Sequence, residues 1–382
     1  MKRLAQQIAL AALFPAMAAA GQTSDPPAHT GWQFGAFADL AYLFDANHPP
    51  NKQIRSRGTA WHVNDLYANM AGVSLVKATA DASPWGAEVT VHTGKDDEVF
   101  GFSATAPKLA GSDWLRHIGR ANLSYRAPTG RGLQLQGGIF ASLIGYDSLY
   151  AKDNLSYSRP WGADFTPYLM MGVNAAYPIT DRLTGTLYVV NGYWHLANAN
   201  QVPSSGVHLS YAATPRVTIK EAVLWGPHQS NSSLEFWRLL SDTIVERRSE
   251  NTVVALNAHF STERVDEPGR PRAWWIAAQV PMRWSFQRFW SLTVRPEIAW
   301  DSIGRWTLAE QTVTALTTTV EHRRSFGSAT AVIRFEHRLD VSRGPGGGFF
   351  DDQGSAGSPH LTPQLQLLVA GLVVTFDKPP RP

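Results

Sequence analysis

Few side chains in this 382-residue sequence have the spacing that catalysis requires. His208 and Ser210 stand two positions apart, so an extended strand would place both on one face, where the histidine could activate the serine of a lipid esterase. Chance produces such pairs in any strand-rich chain, and the sequence indicates no carboxylate partner for the histidine. There is no GxSxG motif, no HExxH motif and no phosphate-binding glycine loop. We therefore expect that the protein is not an enzyme.

Two aspartate pairs, Asp96-Asp97 and Asp351-Asp352, could supply oxygen ligands to a calcium ion. Neither pair lies in a twelve-residue ligand pattern, so solvated charges on long loops are the better interpretation. The chain contains no cysteine, which excludes disulfides, thiolate metal sites and cysteine nucleophiles. The sequence therefore predicts neither a metal site nor a cofactor.

Most of the other polar side chains alternate with apolar ones, which is typical of β-strands. In FWSLTVRPEIAWD at 289–301, Arg295 and Glu297 share one face, whereas Ile298 and Trp300 share the other. The segment from Ala329 repeats this pattern, with charged residues at every second position. A strand with this alternation has one polar face that can contact water and one apolar face that must contact lipid or a protein core.

About ten residues of alternation followed by a turn recur along the whole chain, and we count sixteen strands between residues 32 and 376. Short connections, such as 178–181, 213–215 and 285–287, alternate with long ones, such as 45–64, 94–117, 143–166 and 341–363. An even number of strands with short turns at one end and long loops at the other indicates an outer-membrane barrel. The predicted fold is therefore all-β, a transmembrane antiparallel up-and-down β-barrel of about 16 strands.

The charged face of each strand must point into the lumen, because an arginine or lysine on the lipid face at mid-bilayer costs about 2 to 4 kcal/mol. Aromatic residues near the strand ends on the opposite face fit the headgroup level of a membrane. The predicted pore-lining residues are Glu88, Arg120, Arg295, Glu297, Arg334, Glu336 and Arg338.

Three positions resist this assignment of faces. In the second strand Asn69 and Lys77 share a face with Val73 and Leu75, and in the ninth Lys220 and Glu221 are adjacent. Pro296 lies inside a strand, where it removes a donor from the hydrogen-bond ladder, so we expect a local bulge or a missing bond there.

The connection from Ser142 to Thr166 is the best candidate for a functional loop, because connections of about 24 residues are usually functional or disordered. Folded into a sixteen-stranded barrel, it would narrow the channel and present charges to a passing solute. Its charged residues, the predicted constriction, are Asp147, Lys152, Asp153, Arg159 and Asp164. The alternative is a loop that only caps the outside.

The N-terminus has the features of an export signal. Lys2 and Arg3 precede a short apolar run, and Ala18-Ala19-Ala20 fits a cleavage site, whose use would lower the formal charge from +3 to +1. We predict a signal peptide at 1–20, a periplasmic segment at 21–31, the outer-membrane barrel at 32–376 and a tail at 377–382. The charged fraction is only 17% and the basic residues are scattered, which argues against nucleic acid as a partner.

Three stretches resemble the OmpL-like beta-barrel porin family of bacterial outer membranes: GGIFASLIGYDSL at 137–149, NLSYSRPWGADFTPYLMMGV at 154–173 and LYVVNGYW at 187–194. RPEIAWD at 295–301 is similar to a later strand of that family. The resemblance implies a diffusion porin. One departure is that the last strand aromatic, Phe376, is followed by DKPPRP, whereas such barrels usually end on the aromatic residue itself.

The predicted function is an outer-membrane porin with a water-filled, weakly selective channel for small hydrophilic solutes and ions. The alternatives are a plugged, structural or adhesion barrel without transport and, more remotely, the lipid esterase. The apolar outer wall suits outer-membrane lipids and, in a homotrimer, neighbouring subunits.

Overall fold

In a computed structural model that describes residues 31–103, 106–355 and 358–378, one antiparallel sheet closes on itself as a barrel. The first strand pairs with the last, from Phe34 opposite Lys378 to Asp45 opposite Leu367, so the barrel has no free edge. The predicted signal peptide, most of segment 21–31 and residues 379–382 lie outside the described residues. No helix in the described ranges is long and apolar enough to cross a membrane.

The barrel has sixteen strands, one of which is interrupted. They are β1 (Gln33–Asp45), β2 (Leu66–Lys77), β3 (Trp85–Thr93), β4 (Ile118–Ala127), β5 (Leu133–Ala141), β6 (Leu169–Pro178), β7 (Leu183–Val190), β8 (Ser204–Thr214), β9 (Val217–Pro227), β10 (Trp237–Arg248), β11 (Thr252–Arg264), the two halves β12 (Arg272–Gln279) and β13 (Met282–Phe286), β14 (Trp290–Asp301), β15 (Gln311–Phe326), β16 (Ala329–Arg343) and β19 (Gln364–Lys378). A small hairpin, β17 (Phe349–Phe350) with β18 (Leu361–Thr362), lies in the connection before β19. The predicted barrel is confirmed.

Long and short connections alternate around the barrel, so one end carries the long loops and the other carries the short turns. Among the described residues, single α-helical turns lie in two of the long loops, at Ser112–Leu115 and Trp161–Asp164. In outer-membrane barrels the short turns face the periplasm and the long loops face outward.

The alternation in β14 decides which side is inside. Arg295 and Glu297 are buried, whereas Ile298 and Trp300 are 46% and 38% exposed. The same holds in β16, where Arg334 is buried and Phe335 is 59% exposed. The polar face therefore points into the barrel and the apolar face forms the outer wall.

A β-bulge explains the position of Asn69 in the second strand, whereas Lys77 stays on the outer face with Val73 and Leu75 and donates to Ser83 Oγ and the Trp85 carbonyl oxygen at the strand end. Met70 pairs with Asp39 and Ala68 pairs with Leu40, so Asn69 is an extra residue and the strand changes face at that point. Asn69 is buried inside the barrel, while Val73 and Leu75 are exposed on the outer wall. The prediction that they share a face with Asn69 is wrong because strict alternation does not continue through a bulge.

The interruption of β12 and β13 lies opposite Pro296. Pairing runs from Gln279 opposite Glu297 to Met282 opposite Val294 without a change of register, and Val280 donates to the Pro296 carbonyl oxygen at 3.0 Å. Two prolines, Pro281 and Pro296, lack the N–H groups that would complete the ladder here. Of the two expectations for Pro296, the missing bond is confirmed and the bulge is not observed.

Adjacent residues Lys220 and Glu221 point to opposite sides of β9. Lys220 points into the lumen, whereas Glu221 lies half-buried on the outer wall and accepts hydrogen bonds from Ser241 Oγ at 2.7 Å and Thr243 Oγ1 at 2.5 Å. Trp225 packs against Trp237 nearer the long-loop end, at a centroid distance of 4.5 Å. Glu221 is therefore a carboxyl group within the apolar band of the outer wall.

Candidate functional site

The connection between β5 and β6, residues 142–168, folds into the lumen, and we refer to it as the inserted loop. Glu336 on β16 binds it most directly, because its carboxylate accepts the backbone N–H groups of Tyr157 at 2.7 Å and Ser158 at 3.1 Å. It also accepts the hydroxyl groups of Ser158 and of Thr319 on β15, the latter at 2.8 Å. One inward carboxylate thus satisfies two loop amides that would otherwise be buried without partners.

Three inward arginines bind carbonyl oxygens of the same loop. Arg334 donates to Ala151 O and Asn154 O, both at 2.6 Å, Arg295 donates to Ser158 O at 2.8 Å, and Arg338 donates to Arg159 O at 2.9 Å. Carboxylates on the same wall neutralise these cations: Arg338 pairs with Glu297 at 2.8 Å and Asp340 at 2.7 Å, and Arg334 pairs with Glu321 at 2.9 Å. The ion pairs are buried and the arginines retain donors for the loop backbone.

Aromatic packing fixes the middle of the inserted loop. Tyr157 donates its hydroxyl to Asp39 at 2.7 Å, and its ring lies so close to β19 that a Cβ atom at Gly371 would meet it at 2.7 Å. Trp161 donates its ring N–H to Asp340 at 2.8 Å and stacks on Phe165, which packs edge-on against Trp275. Only a residue without a side chain fits beneath Tyr157, so Gly371 is required for this close approach.

The five charged residues of the predicted constriction make different contacts. Gln279 donates to Asp147 at 2.5 Å, and Lys152 pairs with Asp153 at 2.8 Å. Arg159 is fully buried and lies 3.6 Å from Asp96 of the preceding long loop, while Asp164 pairs with Arg57 at 3.0 Å and accepts a hydrogen bond from Thr59 at 2.7 Å. Arg159 and Asp164 therefore join the inserted loop to the loops at 46–65 and 94–117.

Asp96 is the centre of that junction. Its carboxyl group accepts the Ala60 amide at 2.8 Å and the Asn69 side-chain amide at 2.9 Å. Burial raises the pKa of Asp96 to about 7, and the nearby Arg159 guanidinium opposes the rise. Three long loops thus meet at this buried carboxyl group.

The predicted pore-lining residues fall into two groups. Arg120 and Glu88 form an ion pair at 2.8 Å at the edge of the inserted loop, where the Arg120 guanidinium lies 5.7 Å from the ring of Tyr150, and their side chains are 14% and 18% exposed. The other five are at most 7% exposed and lie on the strands that the inserted loop covers: Arg295, Glu297, Arg334, Glu336 and Arg338. All seven point inward, and two remain accessible.

Sequence reasoning missed several inward groups on the accessible wall. Lys220 on β9 and the ion pair of Glu246 with Arg248 on β10, at 3.0 Å, point into the lumen, and Glu246 also accepts the hydroxyl of Tyr146 from the inserted loop at 2.7 Å. Glu246 and Arg248 lie two positions apart, a spacing that could have identified them, but Arg247 between them obscured the alternation.

A family model described as putative beta-barrel porin-2, OmpL-like, matches residues 31–376. The chain belongs to this porin family. It is a channel protein of the bacterial outer membrane, and the family predicted from the sequence is confirmed.

Solved structures share the porin's fold at low sequence identity. The outer membrane channel DcaP of Acinetobacter baumannii matches with a TM-score of 0.56 and 11% identity, over 94% of this chain and 100% of that one. An anion-selective porin from Comamonas acidovorans matches at 0.53 and 6%, over 91% and 99%. The trimer form of Vibrio cholerae OmpT matches at 0.50 and 9%, over 91% and 99%. No curated protein sequence matches the porin.

The histidine–serine pair and the two aspartate pairs, which the sequence offered as possible catalytic or calcium-binding residues, lie in separate parts of the porin. His208 and Ser210 both point inward on β8, opposite Ala222 and Lys220, and within the described residues neither side chain hydrogen-bonds the other. Asp97 lies 3.3 Å from both His92 and His117, and Asp351 lies 2.8 Å from His360. The described part of the porin has no group of three or more such side chains that could hold a metal ion.

Proposed function

We propose that the porin is a narrow, weakly selective diffusion channel whose water path runs beside the inserted loop, along the partly exposed charges of the inner wall from β3 to β10. The observation that carries the proposal is the difference in exposure between the two walls. Glu88, Arg120, Glu246 and Arg248 keep side chains 14% to 30% exposed, whereas Arg295, Glu297, Arg334 and Arg338 are at most 2% exposed beneath the loop. Covered charges cannot contact a passing ion, so the accessible wall sets selectivity.

Charges of both signs line the proposed path. The basic side chains are Arg120, Lys152, Lys220 and Arg248, and the acidic ones are Glu88, Asp153 and Glu246. Alternating signs at short range partly cancel, and physiological salt screens the rest within about 8 Å. Weak ion preference with a slight excess of anion passage follows from this balance.

The pair on β3 and β4 offers matched variants. Arg120→Gln should raise the cation permeability and lower the anion permeability, and Glu88→Gln should do the reverse, each ion changing by about twofold, since a unit charge roughly 8 Å from an ion in water contributes about 0.5 kcal/mol. Reversal potentials in planar bilayers measure both, with exposed Arg270→Gln as the control. If the purified barrel carried no current, the result would support the structural or plugged alternative. If neither variant changed the reversal potential, the ion path would lie elsewhere in the lumen.

We propose no enzymatic role for the porin. Among the described residues His208 donates no hydrogen bond to a carboxylate, and Ser210 lies opposite Lys220 in the sheet. A serine nucleophile needs a base that is itself oriented by a third group.

We infer that the porin is a homotrimer whose subunit contact includes the outer wall of β9 and β10. V. cholerae OmpT has a trimer form, and Glu221 places a carboxyl group in a band where lipid would surround it. A polar neighbour from a second copy would relieve that cost.

A photo-cross-linking residue at Val223, beside Glu221 on the outer wall, should give dimer and trimer bands in outer membranes. Leu40 on β1 lies eight strands away around the barrel and is 44% exposed, so the same residue there should give monomers only. Bands from Leu40 but not Val223 would place the contact on the other side, and bands from neither would indicate a monomer.

A further inference from the structure

A cavity of about 210 Å³ lies among the long loops, and Asp164, Phe165 and Tyr168 of the inserted loop form part of its wall. Three guanidinium groups line it, contributed by Arg57, Arg238 and Arg305. Aromatic side chains form much of the rest of its wall, among them Phe165, Trp194 and Trp306. Leu308 at its edge is 62% exposed, so the cavity opens toward the outer end of the barrel.

The carboxylates that pair with these arginines do not neutralise them. Asp164 lies 3.0 Å from Arg57, while Glu263 serves both Arg238, at 2.7 Å, and Arg305. Burial lowers the pKa of His228 in the same wall well below its usual range, so this histidine adds no charge. Three cations thus face two anions, which leaves one positive charge in a buried setting.

Some donors in the cavity wall have no partner within the protein. Arg57 Nη1 and Arg238 Nε are buried and make no hydrogen bond among the described residues, although both side chains are only 4% exposed. A buried donor without a partner costs free energy that an acceptor would recover. These donors belong to the guanidiniums that carry the excess charge.

The aromatic rings hold the guanidiniums in place. Arg238 lies over Tyr193 at 4.7 Å and over Trp306 at 4.9 Å, and Arg57 lies over Trp161 at 5.0 Å. Guanidiniums fixed on ring faces present a planar fork that matches a carboxylate. The surrounding rings would exclude water from an apolar group attached to it.

We propose that this cavity binds small organic carboxylates that carry a planar apolar body, before they enter the channel. The carboxylate pairs with the guanidinium of Arg305, whose side chain is the most exposed of the three at 10%, and neutralises the excess charge, while the apolar body packs among the rings. The physiological role rests on the proposed diffusion function, whereas binding itself does not require passage.

Benzoate is a suitable probe, and benzamide has the same shape without the charge. Titration calorimetry on the purified full-length porin in detergent should detect benzoate, with benzamide bound about tenfold or more weakly, because hydrogen bonds to a charged acceptor are the stronger ones. Equal binding of the two compounds, or no benzoate binding, would overturn the proposal.

Variants locate the site. Arg305→Gln should weaken benzoate binding by about tenfold and Arg305→Lys by less, because lysine keeps the charge and loses the fork. Arg270→Gln, in the exposed loop between β11 and β12, is the matched control and should bind as the unaltered porin does. Unchanged binding by Arg305→Gln would exclude this cavity, provided that the variant keeps the gel mobility of a folded barrel.

Bilayer currents separate the two proposals. Conductance without benzoate binding would reject the carboxylate site and leave the diffusion path intact. Benzoate binding without conductance would reject the diffusion path and leave the carboxylate site intact.

Discussion

Deleting residues 148–158 should raise the single-channel conductance of the porin several-fold while the barrel stays folded. The deleted segment supplies Tyr157 and the backbone groups that cover Arg334 and Glu336. Its removal converts a packed half of the lumen into water, and conductance follows the width of the water-filled section. The conductance of reconstituted single channels is the measurement.

The barrel should survive this deletion because the strands on either side stay joined. Ala141 on β5 pairs with Leu169 on β6, so the sixteen remaining residues of the connection span two adjacent strand ends. Removing exposed residues 266–270 between β11 and β12 is the control, which should leave conductance unchanged. If the larger deletion also left conductance unchanged, the inserted loop would not limit the path.

The fold was predictable from sequence because one rule, alternation with an inward charged face, holds along most strands. Arg334, Glu336 and Arg338 occupy every second position of β16, and no buried soluble strand tolerates such a series without partners. The rule fails at Asn69, where a bulge interrupts the alternation of faces. It also fails at Glu221, an outward carboxylate whose hydrogen bonds come from neighbouring hydroxyl groups.

The candidate site was less predictable, because its contacts join distant parts of the chain. Glu336 and Tyr157 are 179 positions apart, and neither residue carries a local signal for the other. Sequence periodicity assigns Arg334 to the lumen but does not reveal that a loop covers it. Exposure inside a barrel depends on where a loop lies, which is why Arg120 and Arg295 look equivalent in the sequence and differ in the structure.

Glu336→Gln should release the inserted loop from the wall. The glutamate accepts two backbone N–H groups and two hydroxyl groups. In the glutamine variant, the side-chain NH₂ group would face some of these same N–H and O–H donors and could not accept their hydrogen bonds. Breaking a buried charged network in this way costs about 3 to 5 kcal/mol, which shifts the equilibrium between packed and released loop by more than about a hundredfold.

Two measurements detect release of the loop. Proteinase K should cut the variant within residues 142–168 while the barrel stays intact on gels, and single-channel records should show added current fluctuations as the loop enters and leaves the path. Glu88→Gln is the matched control, since Glu88 is also an inward glutamate but its hydrogen bonds go to Arg120 and Asn122 on β4. That variant should resist the protease as the unaltered porin does. Equal resistance of Glu336→Gln would mean that the arginine and aromatic contacts hold the loop without this carboxylate, and Tyr157 above Gly371 would then be the next contact to remove.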